Sequence, residues 1–179
     1  MKFILSFFLF SSLTYGACFK DASINWSAYK TPAKAAVGGT FKGVSFTNNK
    51  GEKASEILTG ATFKIDASTV STKDKGRDFK IAKFFFSTLE GGSEITGVVK
   101  KVTNKVLTVA ITMNGKTLDI PLSYTYKNQK LSAKGVIDVF DFAMNDELSA
   151  LNKACAALHE GKTWSDVAIS IDATFTSCK

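Results

Sequence analysis

The chain has 179 residues, of which 45% are hydrophobic and 22% charged, with a formal net charge of +7. That length bounds it to one domain with room for a real core. Its lysines are scattered instead of gathered in a block, which argues against a nucleic-acid site and leaves solubility and weak attraction to anionic lipid or cell-wall material as what the charge means.

The N-terminus, MKFILSFFLFSSLTYGAC, carries Lys2, then a short Phe- and Leu-rich segment, then small residues. It is too short and too poorly flanked for a membrane span and reads as an export signal over residues 1–16. Cleavage after Gly16 is expected, with Ala17 as the alternative, leaving a single exported domain over 17–179. Small residues before Cys18 keep a lipidated N-terminus in view, although Tyr15 stands where a lipobox carries Leu. Phe3, Phe7, Phe8 and Phe10 leave with the leader, which lowers the mean hydropathy of the remainder.

Eight segments alternate or carry β-branched and aromatic residues between Gly, Asn and Lys: 23–29, 41–46, 61–69, 94–102, 105–113, 116–126, 131–140 and 166–175. They predict an all-β fold, an antiparallel barrel. In the third, Phe63, Ile65 and Ala67 alternate inward. The polar run after it, STKDKGR, is expected to be a loop fixed by an Arg77–Asp78 pair. Phe84, Phe85 and Phe86 cannot all point one way if extended, so a bend is expected to turn two inward to close a core or line a cavity.

Asn114-Gly115 suits a two-residue type I′ turn. Met113 then faces Lys116, so that Ile111 opposes Leu118, Val109 opposes Ile120 and Leu107 opposes Leu122 on one dry face. Pro121 opposes Thr108 and predicts a bulge or an edge there. Tyr124 and Tyr126 continue the dry phase and could carry hydroxyls to a cavity entrance.

From Asn145 to Leu158 the period becomes helical, with Leu148, Leu151, Cys155 and Leu158 in one stripe, Asn145 as N-cap and Gly161 as stop. This helix, placed before the last strand, is expected to pack on the barrel wall or across one end. Trp26 and Trp164 read as core or barrel-end plugs.

Cys18, Cys155 and Cys178 form no C-x-x-C, and an exported context permits a disulfide. First and last strands of an up-and-down barrel meet antiparallel, which makes Cys18–Cys178 the natural pair and leaves Cys155 on the helix stripe; the other pairings stay open. Chemistry has little material. The one histidine, His159, sits beside a helix end without a second histidine at zinc spacing. No nucleophile elbow, phosphate loop or dinucleotide fingerprint occurs, and nothing pairs two carboxylates. No catalytic residue, metal or cofactor is assigned.

The order VGGTFKGVSF, ATFKIDASTVSTKDKGRDFKIAKFFF, EITGVVKKV, LTVAITMNGKTLDIPLSYTY and GVIDVFDFAM resembles the YceI-like family across the whole mature chain. The most specific part is Arg77-Asp78 leading through Ile81 to Phe84-Phe85. Lys80 stands where that family's R-D-x-H-L pattern has His, so no contact of that histidine is carried over. The resemblance implies an extended eight-stranded lipocalin-like barrel around a long apolar ligand, hence a periplasmic carrier of a polyisoprenoid or acyl lipid. The expected ligand-binding residues are Phe84, Phe85, Leu107, Val109, Ile111, Leu118, Ile120, Leu122, Tyr124 and Tyr126, with Lys80 or the two tyrosines orienting a head group. Transient membrane contact and a homodimer are compatible with this; nucleic acid is not a partner. Two alternatives stand beside it: a filled barrel serving as a structural or protein-interaction module, and an enzyme acting on a lipid.

Overall fold

A computed structural model describes residues 17–178, so the expected leader over 1–16 lies outside the described residues. Eight antiparallel strands close on themselves in sequence order: β1 (Ala17–Lys30), β2 (Ala35–Thr47), β3 (Thr62–Ser71), β4 (Glu94–Val102), β5 (Val106–Met113), β6 (Lys116–Lys127), β7 (Lys130–Asp138) and β8 (Thr163–Ser177). Closure leaves no free sheet edge. Its seam is the β1–β8 pair, which runs from Ala17↔Ser177 to Lys30↔Thr163.

The β5–β6 hairpin has the register that its turn demands. Asn114 and Gly115 take φ 51° and 67°, Met113 faces Lys116, and Leu107 faces Leu122 with no register shift. Leu107, Val109, Ile111, Ile120 and Leu122 are buried, while Leu118 is half-buried against the same core. Pro121 makes no bulge, contrary to expectation. In this register it forms a non-hydrogen-bonded pair with Thr108, so its nitrogen faces β7. The β6–β7 ladder ends at Ser123↔Lys134, and the missing N–H forfeits no bond there.

The barrel has two distinct ends. At the lower end, α1 (Ala54–Leu58) buries Ile57 and Leu58, and a disulfide joins Cys18 to Cys178 with 5.1 Å between their Cα atoms. At the upper end stand α2 (Lys75–Phe84), a 3-10 turn (Phe86–Thr88), α3 (Asn145–Ala154) and α4 (Ala156–His159). The Asn114 side chain ties this end together. Its Oδ1 accepts from the Glu90 N–H at 2.7 Å, and its Nδ2 donates to the Phe142 carbonyl at 3.0 Å.

Four expectations are corrected here. Only residues 72–74 of the run read as a loop are one: Lys75 begins α2, capped by Asp74, whose carboxylate accepts from the Arg77 N–H at 3.0 Å. Arg77 therefore pairs with Asp74, and Asp78 instead accepts from the Thr72 N–H and hydroxyl at 2.7 and 2.6 Å. The helix predicted over 145–158 breaks at Cys155, which shifts the phase of the next turn and leaves Leu158 61% exposed. Met144, not Asn145, is its N-cap, with no side-chain bond.

Candidate ligand-binding cavity

Alternation along the strands sends one face of each into the barrel, and the interior so formed holds no buried charged residue among the described residues. It is not completely filled. An upper cavity of about 150 Å³ is walled by Ile24, Trp26, Phe41, Ile65, Ile95 and Ile111 from the strands. Ile81, Phe85 and Phe86 from α2 and the turn after it, and Met144, Leu148 and Leu151 from the α3 side, close over it. A lower cavity of about 50 Å³ lies between Phe19, Phe46, Leu58, Leu107, Val109 and Phe175.

Phe63 and Ile171 line both cavities and separate them. The Phe63 ring lies over its cross-strand partner Gly97, where a Cβ would stand 2.2 Å from the ring. Gly97 is therefore what lets the partition lie flat against the wall. The upper cavity as it stands has the size of a small ring, not of a long chain. Met113 and Met144 in its lining are unbranched and adaptable.

Of the residues expected from sequence, Phe85 and Ile111 line the upper cavity, and Leu107 and Val109 the lower. Leu118, Ile120 and Leu122 belong to the core but line neither. Phe84 is half-buried away from both, its ring 5.5 Å from the Lys83 ammonium. Tyr124 and Tyr126 sit at the lower end of β6, remote from the upper mouth. The Tyr124 hydroxyl donates to the Thr103 carbonyl at 2.7 Å, and the Tyr126 ring packs edge-on to Phe175 at 5.6 Å. Burial raises the Tyr126 pKa.

Sequence reasoning missed most of the upper wall. The signal was there in the alternation of Ile24, Trp26 and Ala28 and of Val167, Ile169 and Ile171, all on the lining.

Outside the upper cavity lies a second space of about 400 Å³, and Trp26, Ala28, Ile81, Leu151 and Thr163 line both and stand between them. Its remaining wall mixes Tyr29, Val37, Cys155 and Leu158 with the charged and polar Lys30, Asp74, Arg77, Lys80 and His159. Nearby on the rim, Trp164 donates to the Thr31 carbonyl at 2.8 Å, and the Lys34 and Lys162 ammonium groups each lie 4.5 Å from its ring centroid. Asp74 is held below the usual carboxylate range by the Arg77 N–H and then by its guanidinium. His159 is held below its ordinary value by burial first, then by the charges of Lys30, Lys80 and Arg77.

That depression has a sign for stability. Unfolding frees the imidazole to take a proton at pH values between its folded pKa and its ordinary 6.5, so the fold loses stability as pH falls through that window. The depressed carboxyls Asp66, Asp74 and Glu56 add their loss only at lower pH, below their ordinary values of 3.8 to 4.5. Urea unfolding of His159→Gln is therefore expected to show a smaller drop in midpoint between pH 7.5 and pH 5 than the parent. Identical drops would show that His159 does not titrate in this way.

The YceI-like domain matches residues 19–175 of the chain. Among solved structures, a polyisoprenoid-binding domain from Saccharophagus degradans implicated in plant cell wall breakdown superposes with a TM-score of 0.62 at 16% identity, covering 93% of this chain and 99% of that one. BcnA from Burkholderia cenocepacia gives 0.59 at 17% identity, with 87% and 96% covered. The Campylobacter jejuni YceI protein gives 0.58 at 22% identity, with 81% and 86% covered. At these identities the likeness shows a common fold. No curated protein matches the chain.

Proposed function

The chain belongs to the YceI-like family, and from that membership we propose that it carries a lipid whose hydrocarbon chain lies in the barrel, an isoprenoid or acyl chain being the class that fits. The protein is periplasmic. The family's barrel is typically a non-catalytic binding fold, and carriage requires no bond to be made or broken.

The observation that carries this reading is the upper cavity, lined almost wholly by hydrocarbon and bounded by Trp26, Ala28, Ile81, Leu151 and Thr163, which also line an outer space carrying basic side chains. Each methylene moved from water into such a lining contributes about 0.8 kcal/mol. Ten of them contribute about 8 kcal/mol, which is of the same order as the cost of association, about 4–15 kcal/mol. A chain of that length needs more room than 150 Å³, so loading would turn Phe63, Ile171, Met113 or Met144 aside and run the chain toward the lower cavity. Phe85, Ile111, Leu107 and Val109 are then its contacts, whereas Phe84, Tyr124 and Tyr126 are support. The leader over 1–16 belongs to the same proposal, as the route by which the chain reaches the periplasm.

One observation favours the filled barrel, namely the small volume with Phe63 across it. Extraction decides between the two readings. Protein isolated without detergent from its own periplasm is expected to release an isoprenoid or long acyl species, identified by mass spectrometry, and to rebind it after delipidation. Repeated recovery of empty protein that binds no such chain would establish the filled barrel instead.

A further inference from the structure

Four basic side chains from three separate stretches of chain converge on the space outside the cavity. Lys30 ends β1, Arg77 and Lys80 stand on α2, and His159 ends α4. One carboxylate shares that lining, Asp74, and it is already engaged by the Arg77 N–H at 3.0 Å and guanidinium at 3.1 Å. Lys30 and Lys80 have no ion-pair partner among the described residues. A fifth donor stands at the neck. Trp26 lines both spaces, and its indole Nε1 is buried without a hydrogen-bond partner. Gly39, opposite it on β2, makes room for the ring, since a Cβ there would lie 2.4 Å from Cζ2.

Such a rim is short of negative charge, and only Trp26, Ala28, Ile81, Leu151 and Thr163 stand between it and a cavity lined by hydrocarbon. We infer that the ligand is an acidic single-chain amphiphile, its carboxylate or phosphate monoester held among Lys30, Arg77, Lys80 and His159 while its chain passes Trp26 into the barrel. This rests on the carrier reading and narrows it: a neutral head such as an alcohol, amide or quinone would leave the lysines without a counter-charge.

The local hydrogen bonds fix how His159 takes part. Asn152 Nδ2 donates to the Gly161 carbonyl at 3.1 Å, so Asn152 Oδ1 is the atom that accepts the Thr163 hydroxyl at 3.0 Å. With its proton so used, Thr163 Oγ1 accepts from His159 Nδ1–H at 2.9 Å. Nε2 is left to take the second proton and to meet the head group. Burial first, and then the three cations around it, oppose that proton in the free protein. An anion among them offsets the part due to the cations, so binding draws a proton toward His159.

The test uses delipidated mature protein and two matched pairs, hexadecanoate against hexadecanol and farnesyl phosphate against farnesol. The acidic member of at least one pair is expected to bind about tenfold tighter or more, with the preference shrinking as salt rises. Preference in one pair alone identifies the head as carboxylate or as phosphate. In Lys30→Met/Lys80→Met the ratio is expected to fall toward one, and in Lys30→Arg/Lys80→Arg to be kept, with thermal unfolding checking that both fold. The His159 ring, followed by NMR, is expected to titrate at higher pH with the acidic ligand than with its alcohol. Equal affinities within both pairs, a preference that survives the methionine variant, or a His159 midpoint unmoved by the acid would overturn the inference while leaving the carrier reading intact. Failure of all four compounds to bind would remove both.

Discussion

Replacing Cys18 and Cys178 together with serine is expected to lower the thermal midpoint by on the order of 10 °C. The disulfide closes a loop with a sequence separation of 160, for which the loss of chain entropy in the unfolded state corresponds to about 5 kcal/mol, and removal of native disulfides typically costs about 2–5 kcal/mol. In a chain of this size each kcal/mol moves the midpoint by about 2–4 °C. The bond also sits at the end of the β1–β8 seam, beside the register shift between Phe19 and Asp21, where the ladder alone is weakest. Reduction of the parent should reproduce the change. A shift below about 2 °C would mean that the long β1–β8 pairing holds the termini together even in the unfolded ensemble.

Phe63 should give the other large effect, with opposite signs for stability and capacity. Phe63→Ala removes the partition between the two cavities and is expected to cost about 3–5 kcal/mol, as large-to-small changes of buried aromatics do. Joining the spaces should let the variant bind longer or bulkier chains relative to short ones than the parent does. Gly97→Ala acts on the same ring from beneath, since the added methyl would stand 2.2 Å from it. It is expected to cost about 1–3 kcal/mol and to narrow the range of chains bound. Calorimetry with a ladder of chain lengths reads both. An unchanged length preference in Phe63→Ala would show that the chain never reaches the partition.

Features carried by local chemistry could be read in the sequence. Asn114-Gly115 set the hairpin and, through it, which of Leu107 to Leu122 are buried, because turn geometry and a period of two leave one choice. The disulfide pairing came from strands that must meet at closure. Helix α2 was hidden because Lys75, Lys80 and Lys83 interrupt any apolar stripe and Phe79 is exposed on it. Its caps were visible all the same: Asp74 three residues before Arg77, Asp78 in the first turn and Lys83 in the last. The break at Cys155 left no such mark, so Leu158 was assigned to the wrong surface. Least legible was the mouth. Lys30, the Arg77 and Lys80 pair on α2, and His159 are separated by long stretches of chain, and only closure of the barrel brings β1, α2 and α4 to one rim. Tyr124 and Tyr126 show the converse. Their phase was right for the interior, but phase does not tell which end of a barrel a residue occupies.

The central claim is that the chain of the ligand lies inside the barrel. It is tested most directly by intermolecular NOEs between a bound isotope-filtered long-chain ligand and the isoleucine methyl groups of the protein. Contacts from Ile24, Ile65, Ile95 and Ile111, all on the upper cavity wall, are the predicted result. A ligand that binds yet contacts only outward residues such as Val136 or Phe140, both exposed, would contradict it.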